Sequence, residues 1–495
     1  MATASGEAAD GLITGEFHHK QSGVTYSVST KGGLTLLRYQ REKENFGGQR
    51  ELLYFIGSGV KGRSYLFSTD GFLFETPINW YTQEHRWNMT PAYSEAREIP
   101  LNLPSYVDCL NCHTSGLQPP VAGTDSKFNG KPFLHAGITC ERCHGSGDAH
   151  LDGKGPIVNP AKLPAARRDA ICMECHFEGT VAVEQPGKHL YEFQPGDKLS
   201  DFAHYFVYTS PAPAPETTQA LSQVEALSLS MCKKKSGDKM WCGSCHDPHS
   251  QPTPADRVSF YRGKCLACHG EAFGAKHHRD KPDCTRCHMP VLPNDAVADT
   301  ESTDHRILKY PTGFQFSNPA TEPRLTAFPA ADSPLVTSRD LALAWETLAE
   351  SNREGAQHQA QQSVRKALKQ RPDDPRLLSA MGFIDQQHGH DKEARDLYKR
   401  ALRIDPLAND VATNLGALEA RAGNSKRAVE LWQAAFERVP NRSSIGIDLA
   451  MAFCVAGKRD QARRYIQRVL EFNPDFAIAK RLSDRLNEDP VKCRP

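Results

Sequence analysis

The sequence predicts an α+β protein of several domains, with a small antiparallel β region, a loop- and helix-rich middle and an all-α repeat region. Three observations predict this order. Short runs of β-branched and aromatic residues alternate with glycine turns near the N-terminus. One cysteine motif recurs through the middle, where hydrophobic periodicity is weak. Proline returns every 34 residues in the last third, within an Ala- and Leu-rich stretch.

The changes of pattern set the predicted boundaries. We expect a β-rich part at 1–99, a cysteine-motif domain at 100–310, a Pro-rich linker at 311–338 and a helical repeat domain at 339–490. A length of 495 residues agrees with two to four domains. The formal net charge of +1 argues against a nucleic-acid partner. No run of 18 apolar residues occurs, so no transmembrane span is expected.

The strands of the N-terminal part are predicted from residue type and from the glycines between them, which together indicate an antiparallel meander. The predicted strands are Val24–Val28, Leu34–Tyr39, Glu51–Ile56 and Ser64–Ser68. The predicted turns contain Gly32-Gly33, Gly47-Gly48 and Asp70-Gly71.

Twelve of the 15 cysteines lie in six copies of Cys-x-x-Cys-His, the signature of c-type haem attachment. Two thiols add to the two vinyl groups of a porphyrin, and the following residue holds an imidazole under the iron. The copies are Cys109, Cys112 and His113; Cys140, Cys143 and His144; Cys172, Cys175 and His176; Cys242, Cys245 and His246; Cys265, Cys268 and His269; and Cys284, Cys287 and His288.

Zinc ribbons and redox dithiols also use Cys-x-x-Cys pairs, so the histidines decide between these chemistries. Neither alternative requires His after every pair, and the chance of finding six by accident is on the order of one in 10^8. The sequence therefore predicts six covalently attached haem c groups, with the six motif histidines as iron ligands. Haems also supply apolar core, which fits the modest hydrophobic fraction of 39%.

The second axial ligand decides what each haem does. An iron with two imidazole ligands carries electrons, whereas an iron with an open side binds substrate. His150 and His249 lie too close to their own motifs to reach the other side of the same iron, so we expect them to serve neighbouring haems. The expected second ligands are His19, His135, His150, His249, His278 and His305, with His85, His189 and His204 as weaker candidates.

The last third of the chain has the tetratricopeptide period of 34 residues. Small and aromatic packing residues recur with it, more weakly in the first unit, and a C-terminal cap is expected at 477–488. The repeated prolines are Pro372, Pro406, Pro440 and Pro474. The packing residues are Ala360, Ala367, Gly382, Ala394, Tyr398, Ala401, Leu415, Gly416, Ala428, Trp432, Ala435, Leu449, Ala450, Phe453 and Ala462.

Three cysteines lie outside the motifs. We expect Cys454, in an apolar helical stretch, to be a buried thiol, while Cys232 and Cys493 are candidates for pairing with one another. Haem c is attached outside the energy-conserving membrane, which predicts a periplasmic or extracellular protein. The first residues have no export signal, so we expect that a signal was removed or that the N-terminus is truncated.

Several longer segments carry a resemblance to a known family. They are Gly57–Leu66, Trp87–Tyr93, Gly137–Gly145, Ile157–Ala161, Cys242–His249, Cys287–Pro290 and Thr303–His305. Through them the chain resembles bacterial multihaem c-type cytochromes with doubled CxxCH motifs and a C-terminal tetratricopeptide domain. It is more distantly similar to the tetrahaem cytochrome that accepts electrons in hydroxylamine oxidation.

The resemblance implies distal-ligand roles for several of the expected histidines. These are His19, His150, His249, His278 and His305. The family usually has a further CxxCH motif and a signal peptide near the N-terminus, and both are missing here. A His often found about nine residues before the position of Cys232 is replaced by Gln223, which leaves one haem without its usual partner.

Two functions stay open. The first is electron transfer along six haems, with redox proteins docking at haem edges and with the repeat groove taking a protein or peptide partner or supporting self-assembly. The second is a multihaem oxidoreductase acting on a small nitrogen or sulfur compound at one open haem. Every motif ends in His, and Cys232-Lys233 is not a lysine-ligated site, which favours the carrier. No catalytic residue is assigned.

Overall fold

The computed structural model describes residues 5–42, 46–177, 179–209, 222–277, 281–294, 300–309, 323–353, 355–488 and 493. Contacts divide the chain into two compact units. The central unit comprises the described residues of 138–336, and the sheet–repeat unit joins those of 5–137 to those of 337–493. The first cysteine motif therefore lies in the same unit as the repeat helices. The segment boundaries drawn from sequence pattern stay a prediction.

An antiparallel nine-stranded sheet forms the N-terminal part of the sheet–repeat unit. Its main path runs β2-β3-β4-β5-β6-β8-β9, with β1 paired to β5 and β7 paired to β6. The strands are β1 (Ser5–Glu7), β2 (Gly15–His19), β3 (Val24–Lys31), β4 (Leu34–Arg41), β5 (Phe46–Ile56), β6 (Gly62–Thr69), β7 (Phe72–Glu75), β8 (Ile78–Tyr81) and β9 (Arg86–Met89). Consecutive strands are neighbours for most of this path, as the meander prediction requires.

The four predicted strands are confirmed inside β3 to β6, but one predicted turn is wrong. Gly47-Gly48 lies within β5, where Gly48 pairs with Tyr39 of β4. A side chain at Gly48 would collide with the Tyr39 ring, so the glycine lets that ring lie across the strand. The turns at Gly32-Gly33 and Asp70-Gly71 are confirmed by their positive φ angles, from 52° to 81°.

The rest of the N-terminal segment carries the first motif. A short helix ends at the motif histidine, and a two-stranded hairpin follows it. These elements are α1 (Val107–His113), β10 (Thr114–Leu117) and β11 (Phe133–Ala136).

The central unit consists of short helices, two small antiparallel sheets and irregular segments. Its apolar core is small and gathers around α4 and β13, where Phe177, Phe193, Phe202 and Tyr205 are buried. The elements are α2 (Glu141–His144), α3 (Asp148–Leu151), α4 (Ala165–His176), β12 (Val181–Glu184), β13 (Ala203–Thr209), α5 (Gln223–Leu229), α6 (Met231–Ser236), α7 (Arg257–His269), α8 (Glu271–His277), α9 (Cys284–His288), β14 (Val291–Asn294), β15 (Thr300–Thr303) and β16 (Arg324–Phe328).

The described part of the predicted linker is not a bare connection. Residues 323–336 include β16, which pairs antiparallel with β13 from Tyr205 to Thr209. Phe328 of β16 packs on Phe177, with ring centroids 4.5 Å apart. The partner strand lies more than 100 residues earlier, so the sequence around the prolines gave no sign of this pairing.

The C-terminal part of the sheet–repeat unit is a run of antiparallel helix pairs, as predicted. Four pairs follow one another, the last three beginning 34 residues apart, and a last helix follows them. The helices are α10 (Ser338–Glu350), α11 (Ala356–Gln370), α12 (Pro375–Gln387), α13 (Asp391–Ile404), α14 (Asn409–Arg421), α15 (Ser425–Arg438), α16 (Ser443–Val455), α17 (Arg459–Phe472) and α18 (Ala477–Arg485). Among the described residues no helix is long and apolar enough to cross a membrane.

Close approach of paired helices explains the recurring glycines. In the second pair Gly382 lies against the ring of Tyr398, and in the third Gly416 lies against Trp432. The indole nitrogen of Trp432 donates a hydrogen bond to the Thr413 carbonyl at 3.1 Å. A larger residue at either glycine would push the aromatic ring out of the interface.

The repeat helices share an apolar core with the sheet. Phe472, at the end of α17, is 1% exposed and belongs to the buried cluster of the sheet. Its ring meets Phe72 and Phe74 edge-on, with centroids 5.9 and 5.7 Å away. The sheet and the repeats are therefore parts of one packed body.

A buried ion pair joins the same two parts. Asp475, 2% exposed, accepts hydrogen bonds from the Arg41 guanidinium at 2.7 and 3.2 Å. The backbone N–H of Ile99 donates to it at 2.9 Å, and the Lys480 ammonium donates at 2.7 Å. Burial raises the pKa of Asp475, but these donors outweigh burial and hold its pKa below the usual range.

A disulfide bond joins Cys454 to Cys493. The expectation of a buried free thiol at Cys454 is wrong, as is the suggested pairing of Cys493 with Cys232, which is free. Cys454 is at the end of α16, and Cys493 packs against the same helical core. The packing of both residues in one helical core brings them together, which residue type alone does not indicate.

Candidate haem sites

The cysteine motifs lie on short helical turns that bring their functional groups together. Five motifs end a helix at their histidine, namely α1, α2, α4, α7 and α9, and the fourth forms a single turn at Cys242–Ser244. The backbone N–H of His144 donates to the Cys140 carbonyl at 2.9 Å, and His246 donates likewise to Cys242. Residues three and four apart share a helix face, so both thiols and the imidazole lie on one side.

The motif thiols are accessible to a large partner. None of the twelve is in a disulfide bond, four are exposed, and the other eight are partly exposed. Free cysteines are ordinarily among the most buried residues of a protein, so this exposure is unusual. Thiols held in pairs at accessible positions fit the covalent attachment of a porphyrin.

Hydrogen bonds orient two of the motif imidazoles. The Nδ1 atom of His144 lies 2.7 Å from the Val158 carbonyl oxygen, and Nδ1 of His288 lies 2.6 Å from the Leu308 carbonyl. Metal-binding histidines commonly donate one ring nitrogen in this way, which leaves the other nitrogen for the metal. Sequence reasoning missed both acceptors, because a backbone carbonyl leaves no signal in residue type.

Two motif imidazoles face predicted second ligands. The ring centroids of His144 and His249 are 5.9 Å apart, with planes 17° apart. Those of His246 and His305 are 6.1 Å apart, with planes 28° apart. Ligand nitrogens lie about 2 Å from a metal and ring centroids about 1.1 Å farther, so imidazoles on opposite sides of one iron have centroids about 6.2 Å apart. The centroid distances of both pairs are close to this value.

Local contacts hold His249 and His305 in these pairs. His305 lies between Asp304 and Arg306, which form a buried two-bond ion pair with distances of 2.9 and 2.6 Å. Its Nδ1 atom is 2.8 Å from the Thr303 carbonyl oxygen, which leaves Nε2 for a metal. The carboxylate of Asp247 accepts the backbone N–H of His249 at 2.9 Å and lies 3.5 Å from its Nδ1.

The electrostatic surroundings favour the metal-binding form of the imidazole. Desolvation by the surrounding protein, and then the charge of His305, lower the pKa of His176 and of His246. Both rings are therefore neutral at pH 7, and only a neutral imidazole binds a metal. The Tyr261 hydroxyl lies 3.4 Å from Nδ1 of His246.

Successive motifs lie beside one another in the central unit. The thiols of Cys172 and Cys242 hydrogen bond to each other, and this bond raises the pKa of Cys172. The charge of Cys175 similarly raises the pKa of Cys143, after burial. These interactions act at short range, so the second, third and fourth motifs are neighbours.

The fourth, fifth and sixth motifs are also neighbours in the structure. Burial, then the charges of Cys284 and Cys245, raise the pKa of Cys265 to about 11. The fifth motif therefore lies beside both the fourth and the sixth. Cys232, outside the motifs, interacts with the fourth and fifth motifs through Cys245 and Cys268.

The other predicted second ligands differ in their surroundings. His19 is buried, and its two ring nitrogens lie 2.9 Å from the Ser22 hydroxyl and 3.1 Å from the Ser94 carbonyl oxygen. His135 is exposed on β11, and His150 is exposed on α3. His278 lies outside the described residues. Iron ligation by these four histidines stays a prediction, as it does for His249 and His305, and for His19 it requires the two bonds to break.

The weaker candidates have protein partners too. His189 stacks on Tyr191 at 5.0 Å, and its Nδ1 lies 3.1 Å from the Glu184 carboxylate. The side-chain nitrogen of Gln185 lies 3.1 Å from Nδ1 of the buried His204. His85 is an exposed turn residue with a φ of 49°.

The residues from β8 to the second motif are similar to a known family. Residues 79–145 match the family described as cytochrome c554 and c-prime. That family implies covalently bound haem c for the motifs in the matched segment. No curated protein sequence matches the chain.

Solved structures resemble part of the chain. A MamA crystal structure covers 29% of this chain and 82% of its own, with 19% identity and a TM-score of 0.26. The structure described as PilF of Pseudomonas aeruginosa covers 30% and 67%, with 23% identity and a TM-score of 0.26. YrrB, described as a tetratricopeptide repeat protein with an unusual peptide-binding site, covers 29% and 72%, with 22% identity and a TM-score of 0.26. The chain has a cytochrome c-like segment at 79–145, and its own helices α10 to α18 form the C-terminal run.

Proposed function

We propose that the protein carries electrons along six covalently attached haems. The observation that carries this proposal is the presence of two imidazole pairs, His144 with His249 and His246 with His305, whose centroid distances of 5.9 and 6.1 Å are close to those of two imidazoles on one iron. A bound haem supplies a one-electron carrier. Two imidazoles on one iron leave no position for substrate, so these two sites suit transfer rather than catalysis.

The protein's residues have distinct parts in this function. Each thiol pair would anchor one porphyrin, and each motif histidine would hold its iron. His249 and His305 would supply a second imidazole to two of these haems. The neighbouring thiols support an order in which the second to sixth haems follow one another as their motifs do in the chain. The first motif belongs to the sheet–repeat unit, beside the repeats.

Haem content tests the proposal directly. The chain is produced in a host that attaches haem c, and haem per chain is measured by alkaline pyridine absorbance and by intact mass. We expect six haems, reversible reduction and low-spin electron paramagnetic resonance signals. A Cys265→Ala/Cys268→Ala variant is expected to hold five. Bound zinc in place of haem, by elemental analysis, contradicts the proposal.

We infer a periplasmic or extracellular location. Haem c is attached outside the energy-conserving membrane, and the disulfide between Cys454 and Cys493 suits an oxidising compartment. Cell fractionation with an antibody to the protein tests this. Recovery of haem-loaded protein in the cytoplasm alone contradicts it.

We also propose that the repeat helices bind a protein or peptide partner or a second copy of the chain, as concave repeat surfaces commonly do. Light scattering during gel filtration separates the two: self-assembly gives a dimer or larger species, whereas partner binding leaves a monomer.

The second candidate function is oxidation or reduction of a small nitrogen or sulfur compound at one open haem. One observation favours it: the side chain next to the imidazole of His176 is Gln223, an amide rather than an imidazole. Binding of a small ligand by the haem-loaded protein separates the two functions. An iron with two imidazole ligands does not exchange either of them for the added ligand, so a pure electron carrier is expected to bind none.

A further inference from the structure

The residues that follow β15 are anchored at two points to the sixth motif and the residues just after it. The backbone N–H of Asp304 donates to the Pro290 carbonyl at 2.9 Å, and the backbone N–H of Leu308 donates to the His288 carbonyl at 2.8 Å. The Leu308 carbonyl oxygen in turn lies 2.6 Å from Nδ1 of His288. His305 lies between the two anchors, so its backbone is attached on both sides to the sixth motif.

Between these anchors, Asp304 and Arg306 close a turn around His305. Both side chains are buried, that of Asp304 with 2% and that of Arg306 with 8% of its surface exposed. The Asp304 carboxylate accepts the backbone N–H of Arg306 at 2.9 Å, as in an Asx turn. It also accepts hydrogen bonds from the guanidinium, from Nε at 2.9 Å and from Nη2 at 2.6 Å. Such a bidentate pair fixes orientation as well as distance, so the central residue of the turn has one backbone position.

The next residue has a backbone conformation that is rare for its type. Ile307 has a φ of 51°, in the left-handed region that β-branched residues seldom adopt. Such conformations persist only where the surrounding contacts hold them, and they cluster at functional sites. The reversal at Ile307 returns the chain to His288, where Leu308 makes its two contacts. The path around His305 is therefore set by its surroundings and not by local preference.

This path positions the imidazole of His305. Its Nδ1 lies 2.8 Å from the Thr303 carbonyl oxygen, and its ring centroid lies 6.1 Å from that of His246. A ligand that is already held in its bound position loses little freedom on binding, so it competes well with external ligands. Loss of contacts that orient a ligand typically weakens metal binding about 10–100-fold. The buried ion pair is a contact of this kind for His305.

We propose that Asp304 and Arg306 are positioning residues that keep the His305 imidazole on the iron of the fourth motif and so exclude external ligands from that haem. The proposal rests on the proposed function, because it requires haem at the fourth motif and ligation by His305. It adds that the second ligand of the fourth haem is supported by the sixth motif, so these two sites are built together.

Carbon monoxide titration of the reduced, haem-loaded full chain tests this role. His305 and carbon monoxide compete for one position on the iron. If His305 binds about 10–100-fold more weakly, the carbon monoxide affinity of one haem per chain rises by the same factor. We expect this rise in Asp304→Ala. We expect a smaller rise in Asp304→Asn, which keeps an oxygen that accepts the backbone N–H of Arg306.

A double variant shows whether Asp304 acts through His305. Because His305→Ala is expected to open the fourth iron completely, adding Asp304→Ala to it is expected to change carbon monoxide binding no further. The matched control is Asp374→Ala, which breaks another buried ion pair, with Arg339 of the repeats at 2.6 Å. This control is expected to leave carbon monoxide binding at the wild-type level.

The proposal is overturned if His305→Ala opens one haem while both Asp304 variants keep the wild-type affinity for carbon monoxide. It is also overturned if the double variant binds more than His305→Ala, or if Asp374→Ala shows the same rise as Asp304→Ala. If Asp304→Ala gives no haem-loaded protein, Asp304→Asn decides, since it keeps the shape of the side chain. A His305→Ala variant that opens no haem, or a pyridine assay that finds no haem at the fourth motif, counts against the proposed function instead.

Discussion

Replacement of Asp475 by alanine is expected to destabilise the whole sheet–repeat unit. Its carboxylate is almost fully buried and accepts four hydrogen bonds, two of them from Arg41 on the sheet. Removal of one partner from a buried ion pair costs about 3–5 kcal/mol, because the other charge stays buried and uncompensated. Arg41 keeps hydrogen bonds to the carbonyls of Ser22 and Arg97, so we expect the lower end, about 3 kcal/mol.

Calorimetry of the haem-loaded full chain measures this loss. A large domain loses about 2–4 °C of Tm per kcal/mol, so the transition of this unit is expected about 6–12 °C lower. The matched control is Asp373→Ala, which removes an ion pair with Arg400 from an exposed site, where Asp373 is 80% exposed. That pair is worth at most about 1 kcal/mol. Equal transition temperatures for the two variants would refute the reasoning.

Two further measurements isolate the charge. A double variant, Arg41→Met with Asp475→Leu, replaces the pair by apolar groups and is expected to recover most of the stability. The pKa of Asp475 is lower in the folded state, so its contribution is fully present above the unfolded value of about 3.9. It is lost as the pH falls through the folded value, and the difference between wild type and Asp475→Ala therefore shrinks in acid.

Three other changes test separate features. In His249→Met, electron paramagnetic resonance is expected to show the loss of one low-spin signal from an iron with two imidazole ligands and the appearance of a different signal. Cys493→Ser removes a disulfide between residues 39 apart in sequence. It is expected to lower the free energy of unfolding, measured in urea, by about 4 kcal/mol, because the unfolded chain gains loop entropy. Gly416→Val forces a side chain into the Trp432 ring and is expected to cost about 1–3 kcal/mol by the same assay.

Each of these expectations has an outcome that contradicts it. An unchanged spectrum in His249→Met means that this residue does not ligate an iron. The disulfide does not stabilise the repeats if wild type and Cys493→Ser have equal urea midpoints and a reductant does not change the midpoint of wild type. A Gly416→Val variant as stable as wild type means that Trp432 does not need the space.

The local features of this protein could be predicted from the sequence. The six motifs, the 34-residue return of the repeats and the strands β3 to β6 each follow from spacing or residue type within a few residues. Local chemistry limits such patterns: a porphyrin needs two thiols and an imidazole within one turn, and paired helices need a small residue opposite an aromatic ring.

The pairing of distant residues was decided only by the tertiary structure. Many histidines lie outside the motifs, and spacing does not say which of them faces which iron. The structure brings His249 to His144 and His305 to His246, and it places Gln223 beside His176. Which side chains meet depends on how the short helices pack. That packing is determined by residues far in sequence from either member of a pair.

The sequence by itself thus determined the chemistry available to this protein, namely porphyrin attachment and helical repeats. The tertiary structure decided that Cys454 bonds to Cys493 and that Phe472 completes the core of the sheet. It also decided that the first motif belongs with the repeats. The physical reason is that apolar burial and ion pairing act between any surfaces that the folded chain brings together, whatever their separation in sequence.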